Sequence, residues 1–449
     1  MTPLRSSCLR AACAAAFALA LAGCPSAQSP GSAQRAPLAQ KWLDRAKAAY
    51  GGADMDEARD AVESARKLAP DDAEVRTWEG RVALARLDWP AVQAALAGID
   101  TTDARGLRGR ARWYAGEIDA AADELEAMLR DPDVRDPWAK AVAGLARRGA
   151  GRTPFRMSGA MLAATDMPHV LGTELVVPLE IDGEQALALI ATGTAEVVLD
   201  SATRKEPAWV SLRFGGKLEV GDVPALVQDL SAISRQSNAP IKALIGVNLL
   251  RHLHATFDFT GTQLVVRNFA PPPPPSATKV PLWYFRGGGM VVRAGLGADR
   301  ETGLGALLVD TTQPFALALD DAGMKKAGVD LTKLEPVAQD PKLKQGTVPS
   351  LRLGAFEIPS VPAVTGVTSI AELEHSVEAD LDGVLGSGLL AAFRVTLTDE
   401  GRAMWLEDLP STPPPSPKPA ASSEPSPASP ALPPSKLHPK PKKKPAPHR

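Results

Sequence analysis

The sequence predicts a multidomain protein: α-helical hairpin repeats, then an all-β region of two similar lobes, then a disordered tail. Three observations carry this reading. Between Leu38 and about Arg148 the chain is dominated by Ala, Leu, Arg and Glu, all strong helix formers. From about Thr153 to residue 407 it changes to short apolar runs punctuated by Gly, Asp and Pro, and three blocks of that region occur twice in the same order. The tail, residues 411–449, holds 14 Pro among 39 residues with Ser, Ala and Lys, a composition that cannot bury a core.

A chain of 449 residues has room for two to four domains. After the N-terminus no run of 18 apolar residues occurs, so a spanning helix is not expected. The start reads as a processing signal: Arg5 and Arg10 precede the apolar AACAAAFALALA, and Leu21-Ala22-Gly23-Cys24 closes it. Cys8 and Cys13 would leave with that signal, so no disulfide is expected in the mature chain. The formal net charge of −2 divides unevenly: the tail carries +6 and the signal +2, which leaves −10 on the body. An acidic body argues against a nucleic-acid-binding domain, while the basic tail could touch an anionic envelope polymer.

Within the helical stretch, Ala58, Ala65 and Pro70 recur as Ala120, Ala127 and Pro132, each 62 residues on. Small residues seven apart share a helix face and let two helices approach closely; the Pro ends the helix. Gly80, Ala91 and Ala94 suggest a weaker hairpin between the two copies.

In the β region, LIATGTA around Ala191 matches LVDTTQP around Asp310. LRFGG from Leu212 matches LRLGA from Leu351, and IGVNLLRHL from Ile245 matches LGSGLLAAF from Leu385. Gly215 lies 31 residues before Gly246 and Gly354 lies 32 before Gly386, whereas Ala191 to Gly215 is 24 and Asp310 to Gly354 is 44. The length difference is thus confined to one place, as expected of a duplication. The expected boundaries are a signal at 1–23, a tether at 24–37, helical repeats at 38–150, lobe 1 at 170–269, a Pro-rich joint at 270–279, lobe 2 at 280–407 and the tail at 411–449.

The order of these blocks resembles the bilobal pepsin and retropepsin superfamily of aspartic proteases, particularly its bacterial retropepsin-like members. In such proteins each lobe delivers Asp-Thr/Ser-Gly at the end of an apolar strand, and a later hydrophobic-hydrophobic-Gly motif crosses behind it. The resemblance places Ala191, Thr192 and Gly193 in the first loop and Asp310, Thr311 and Thr312 in the second. Ala191 stands where the first carboxylate belongs, and Thr312 replaces a Gly, with strain expected from its Cβ. The residues missing from lobe 1 fall where the family has a helix and the flap. The helical segment resembles tetratricopeptide repeats, and Leu-Ala-Gly-Cys resembles a lipobox, which implies that Cys24 is acylated. Pro25 after it gives no inner-membrane retention signal, so the expected place is the outer membrane facing the periplasm.

Acid-protease chemistry needs two carboxylates that share one proton. Asp310 alone is the remnant of such a dyad, and Asp200, Glu196 and Asp320 are the acids near the loops that could stand in. The expected function is therefore a pseudoprotease that binds proteins or extended peptides or acts as a scaffold. The alternatives are an aspartic endopeptidase with an unidentified second carboxylate and a purely structural envelope protein. No cofactor and no metal are expected. His252 and His254 form a His-x-His pair without a further ligand motif, Gly287-Gly288-Gly289 reads as a hairpin or a flexible strand entry, and Ser387 lacks the spacing of a nucleophile elbow.

Overall fold

The computed structural model describes residues 35–168, 173–298, 303–338, 340–367, 377 and 379–408. Cys24, the signal, most of the tether and the tail lie outside them.

Among the described residues seven helices come first: α1 (Pro37–Gly51), α2 (Met55–Leu68), α3 (Ala73–Ala85), α4 (Trp89–Ala95), α5 (Thr102–Ala115), α6 (Ile118–Leu129) and α7 (Pro137–Arg148). Their starts are written in the sequence. Asp54, Asp72, Asp88, Thr101 and Asp136 each accept a hydrogen bond from a first-turn amide, and Pro opens α1, α4 and α7. Gly116 ends α5 with φ 81°, the left-handed geometry that favours Gly.

The helices stack as hairpins with one recurring close contact. A Cβ on Gly80 would lie 2.9 Å from the Leu96 side chain, and one on Gly109 would lie 2.6 Å from Leu125. Ala46 and Val62 share a buried cluster in the first hairpin. Ala46 to Gly80 and Val62 to Leu96 are both 34 residues; Gly80 to Gly109 and Leu96 to Leu125 are both 29. The middle hairpin is therefore as closely packed as its neighbours. The expected 62-residue match needs correction, because Ala120 and Ala127 are only half-buried. The buried row of α6 is Ile118, Ala121, Ala122 and Leu125, which matches Ala58, Ala61, Val62 and Ala65 at an offset of 60. Matching identical alanines slips the register, since Ala occupies both faces of these helices.

The β region starts at Arg156. Lobe 1 contains β1 (Arg156–Gly159), β3 (Val176–Ile181), β4 (Glu184–Ile190), β5 (Val197–Asp200), β6 (Ala208–Phe214), β7 (Leu218–Gln228) and β8 (Ile241–Ile245), in the order β1-β7-β5-β8-β4-β3-β6. Two short helices belong to it, α8 (Ser231–Gln236) and α9 (Val247–Leu250). Lobe 2 contains β12 (Trp283–Tyr284), β13 (Met290–Leu296), β14 (Leu304–Asp310), β15 (Leu317–Leu319), β16 (Glu335–Val337), β17 (Asp340–Leu353), β18 (Phe356–Thr365) and β19 (Gly383–Gly386). Their order is β12-β13-β14-β19-β15-β18-β17-β16, with α10 (Asp321–Lys326) and α11 (Ser387–Leu390).

The two orders contain the same motif. The run β7-β5-β8-β4-β3 corresponds to β18-β15-β19-β14-β13. The parallel pairs coincide too: β4–β8 with β14–β19, and β5–β7 with β15–β18. A six-stranded sheet joins the lobes, ordered β11 (Ala277–Pro281), β21 (Ala403–Asp408), β20 (Phe393–Thr398), β9 (Thr256–Asp258), β10 (Gln263–Arg267), β2 (Leu162–Asp166). Each lobe supplies three strands, and Thr256 Oγ1 meets Thr396 Oγ1 at 2.9 Å where the halves join. The turn glycines Gly215 (φ 54°) and Gly354 (φ 60°) are equivalent, pressed against β2 and β11 respectively. The extra length of lobe 2 is α10, a short 3-10 turn (Leu331–Lys333), β16 and the first half of β17. Lobe 1 has only residues 201–207 there. The helical layer packs beside this gap: Arg148 donates to Pro207 O at 2.8 Å, and Trp209 Nε1 donates to Leu145 O at 2.9 Å.

Candidate functional site

The site is the meeting point of two strand ends. β4 delivers Ala191-Thr192-Gly193 and β14 delivers Asp310-Thr311-Thr312. Behind each, a Gly crosses too close for any side chain. A Cβ on Gly246 would lie 2.3 Å from Glu196 O, and one on Gly386 would lie 2.1 Å from Phe315 O. The helices that follow tie down the loops, with Val247 N donating to Thr194 O and Ser387 N donating to Gln313 O.

Thr192 and Thr311, both fully buried, lock the loops together. Thr192 Oγ1 donates to Val309 O at 2.8 Å and accepts from Thr311 N at 3.0 Å. Thr311 Oγ1 donates to Ile190 O at 2.6 Å and accepts from Thr192 N at 3.2 Å. This reciprocal pattern is the local two-fold relation of the lobes, read at the level of atoms.

The two-fold fails in one respect. Asp310 is 7% exposed, and its Oδ1 accepts from Thr312 N at 3.0 Å and Thr312 Oγ1 at 2.8 Å. Gln313 Nε2 is 3.4 Å from Oδ2. Among the described residues these donors, all from its own loop, are its hydrogen-bond partners. Ala191 is fully buried and belongs to an apolar cluster with Leu189, Leu230 and Leu244.

Thr312 corrects the expectation of strain. Its φ is not in the left-handed region, nor is that of Gly193, so neither position requires Gly for backbone reasons. Gly193 is required for space: a Cβ there would lie 2.7 Å from Asp310 Cγ. By the two-fold relation Thr312 faces residue 191, where Ala has no carboxylate to meet. The Thr312 hydroxyl in turn donates to Asp310 Oδ1.

None of the candidate substitute acids bonds to Asp310. Asp320 caps α10 through Gly323 N at 2.6 Å. Asp200 accepts from Ala202 N and pairs with Lys242 at 3.5 Å. Glu196 is buried on the other side of the loop, against Trp113 and Trp138 of the helical layer. Ser387 donates to Gln313 O at 2.9 Å and shares a 2.8 Å hydrogen bond with Thr173. His252 stacks on Phe155 at 4.6 Å, and its burial lowers its pKa to about 3. Among the described residues no group of three or more His, Cys, Asp and Glu side chains could hold a metal ion.

Sequence reasoning did not anticipate what covers the loop. Side chains alternate along β14, so Leu308 and Ala306 share the face of Asp310. Both are buried in a cluster with Tyr50, Met55, Val82 and Ala85 of the helical layer and Phe285 of lobe 2. Full burial of a side chain such as Leu308 contributes about 1.5–3 kcal/mol. Tyr50 meets Phe285 edge-on at 4.7 Å, and a Cβ on Gly289 would lie 2.7 Å from Leu308 Cδ1. The Gly287–Gly289 stretch is thus a close-packing segment against Tyr114, Ala195 and Leu308. Beyond Asp310 in the chain, a groove of about 630 Å³ remains open, lined by Phe315, Leu317, Val337, Thr347, Pro362 and Val364 among others.

No family model matches the chain, and no curated protein matches it. Solved structures do. A retropepsin-like aspartic protease from Rickettsia conorii is 21% identical over 29% of this chain and 90% of that one, with a TM-score of 0.22. An aspartic proteinase from Irpex lacteus is 11% identical over 56% of this chain and 98% of that one, with a TM-score of 0.37.

Proposed function

We propose that residues 156–408 are an aspartic-protease-like domain without a working dyad, and that the protein serves as a binding or scaffolding module of the cell envelope. One observation supports this most: among the described residues the Asp310 carboxylate is hydrogen-bonded by Thr312 and Gln313 of its own loop, with Ala at the partner position. A peptidase needs a base for the water and an acid for the carbonyl oxygen, and each such group is worth about 100- to 10,000-fold. With no second carboxyl bonded to Asp310 among the described residues, Asp310 alone would have to serve both the water and the carbonyl.

The groove on lobe 2 suits an extended peptide. Among the described strands β16 is the outermost of its sheet, so a peptide could add to its edge through backbone hydrogen bonds. Phe315, Val337 and Val364 offer apolar contacts, with Lys333 and Glu335 at the rim. The stacked helices add a second protein-binding surface.

The test is a peptide-library digest of the wild-type protein at pH 3–7 with Asp310→Ala as control. Equal, negligible turnover is expected; cleavage that vanishes in the control would overturn the reading. Peptides retained by the wild type should be lost when Thr347→Trp fills the groove.

Acylated Cys24 would hold the protein to the outer membrane from the periplasmic side, two or more acyl chains being a stable anchor. Cys24→Ala is expected to abolish metabolic labelling with palmitate. A mature wild-type chain that stays unlabelled and freely soluble would refute the anchor. The basic tail would add contact with anionic envelope polymer.

A further inference from the structure

Among the described residues six large hydrophobic side chains are exposed, and three of them meet at one end of the sheet that joins the lobes. Met161 is 62% exposed, Leu162 43% and Phe269 39%. The backbone brings them together. β1 ends at Gly159, whose φ of 83° turns the chain away from its own sheet, and Ala160 N donates to Lys217 O at 2.9 Å. β2 then starts at Leu162, paired with Arg267 of β10, and Asn268 N donates to Met161 O at 3.1 Å. Phe269, two residues past Arg267, is the diagonal neighbour of Leu162 if that ladder is continued. Exposed Ala270, Pro272 and Pro273 extend the apolar surface into the joint. We propose that this surface is a membrane-docking face, which seats lobe 1 and the joint on an anionic lipid bilayer.

Exposed hydrophobic residues scattered singly need no explanation, but a contiguous group rimmed by polar side chains marks an interaction site. The rim here is basic. Lys217 is exposed beside Ala160, and Arg267 stands opposite Leu162. Arg267 is half-buried and donates to Thr256 Oγ1 at 2.8 Å, which leaves Lys217 as the more accessible charge. The acids on the adjoining strands are distant or paired. Asp166 is at the far end of β2, four residues and roughly 13 Å from Leu162. Glu219, opposite Ser158 of β1, pairs with Arg213 at 3.1 Å. The body of the chain carries a formal charge of −10. Anionic headgroups repel such a body as a whole and attract this corner of it.

Reach gives the second argument, and it rests on the reading that Cys24 is acylated. Arg35 is fixed to the body by Asp72 at 2.8 Å and follows Cys24 by eleven residues. Fully extended, those residues span at most about 40 Å. The body is then confined beside the bilayer, where a docking face too weak to recruit a free protein is still occupied, because the effective concentration of lipid is high. Met161, Leu162 and Phe269 would enter the boundary between headgroups and acyl chains, with Lys217 at the level of the phosphates.

The chain has cysteine only at positions 8, 13 and 24, so a single substitution can place a reporter. Met161→Cys, Phe269→Cys and, as a control on lobe 2, Leu304→Cys would each be labelled with an environment-sensitive fluorophore. The acylated chains would be reconstituted in vesicles of phosphatidylglycerol and phosphatidylethanolamine. A blue shift and quenching by spin-labelled lipid are expected at 161 and 269 but not at 304. Equal solvent exposure at all three positions would overturn the proposal. The same blue shift without lipid, on raising the protein concentration or adding envelope proteins, would also overturn it and assign the surface to a second copy or to a protein partner. Palmitate labelling reports on the anchor separately. The unacylated Cys24→Ser chain, mixed with excess vesicles, should still bind through this face, and more weakly at high salt, which screens Lys217. Adding Met161→Ser and Phe269→Ser should reduce that binding roughly tenfold or more, because burial of one large apolar side chain contributes about that factor. Binding unaffected by these changes would refute the docking face whether or not Cys24 carries lipid.

Discussion

Ala191→Asp is expected to destabilise the protein rather than to restore hydrolysis. The new carboxyl would enter a fully buried position next to Leu189, Leu230 and Leu244, close to Asp310 and facing Thr312. Two carboxylates at such range cannot both ionise, so at neutral pH the variant must either keep an extra proton or hold uncompensated charge. An uncompensated buried charge costs about 3–5 kcal/mol. The Cβ of Thr312 adds a steric cost, because Gly193, its equivalent, has no room for one against Asp310. Urea denaturation should show the loss, larger at pH 7 than at pH 4, where a shared proton relieves the repulsion. Thr312→Gly alone removes two side-chain functions: it costs Asp310 a 2.8 Å hydrogen bond and leaves a void. The double variant should nevertheless be more stable than the sum of the single changes implies, because each opens the space the other needs. Any peptidase activity should return only in that double variant. Additive losses would show that residues 191 and 312 are not coupled.

The expected coupling of residues 191 and 312 bears on what the sequence could and could not reveal. The duplication was legible because the close-packed glycines, Gly246 and Gly386, and the turn glycines, Gly215 and Gly354, tolerate no other residue, so their spacings survived. The difference between Ala191 and Asp310 was legible for the same reason: it interrupts an otherwise matched block. The meaning of Thr312 was not. Seen alone it replaces Gly and suggests strain; only the pairing of Gly193 with Asp310 across the lobes shows that its Cβ has space. The helical layer poses the same difficulty on a larger scale. Trp113 and Trp138 precede Glu196 by 83 and 58 residues, and nothing in their local pattern says that they share its carboxyl. Hairpins could be read from caps and small residues, but their docking on the Asp310 face depends on contacts such as Tyr50 with Phe285. The change to strands near Thr153 was legible, but the lobe boundary expected at 170 left out β1 and β2, which are short and belong to different sheets.

Thr192→Val and Thr311→Val are expected to cost more than any exposed substitution in the molecule. Each hydroxyl bonds both a carbonyl and an amide of the opposite loop, and both residues are fully buried. Valine preserves the shape but leaves two buried backbone groups without partners, at about 1–3 kcal/mol for each group. A single variant should therefore lose roughly 2–6 kcal/mol on that basis, and Thr192→Ser much less, because it keeps the hydroxyl. The double variant should fall short of the sum, since the two threonines act on one lattice. Chemical denaturation of the wild type and the four variants would measure this, and a loss below about 1 kcal/mol for Thr192→Val, the net worth of an ordinary hydrogen bond, would show that the lattice does not hold the lobes. The expected cost bears on function. The threonine lattice, the crossing glycines and the matched sheets set the relative position of the two lobes, while a methyl group occupies position 191. Under the proposed binding function the joined lobes serve as a surface, and the groove beyond Asp310 is the part of it that a peptide would fill.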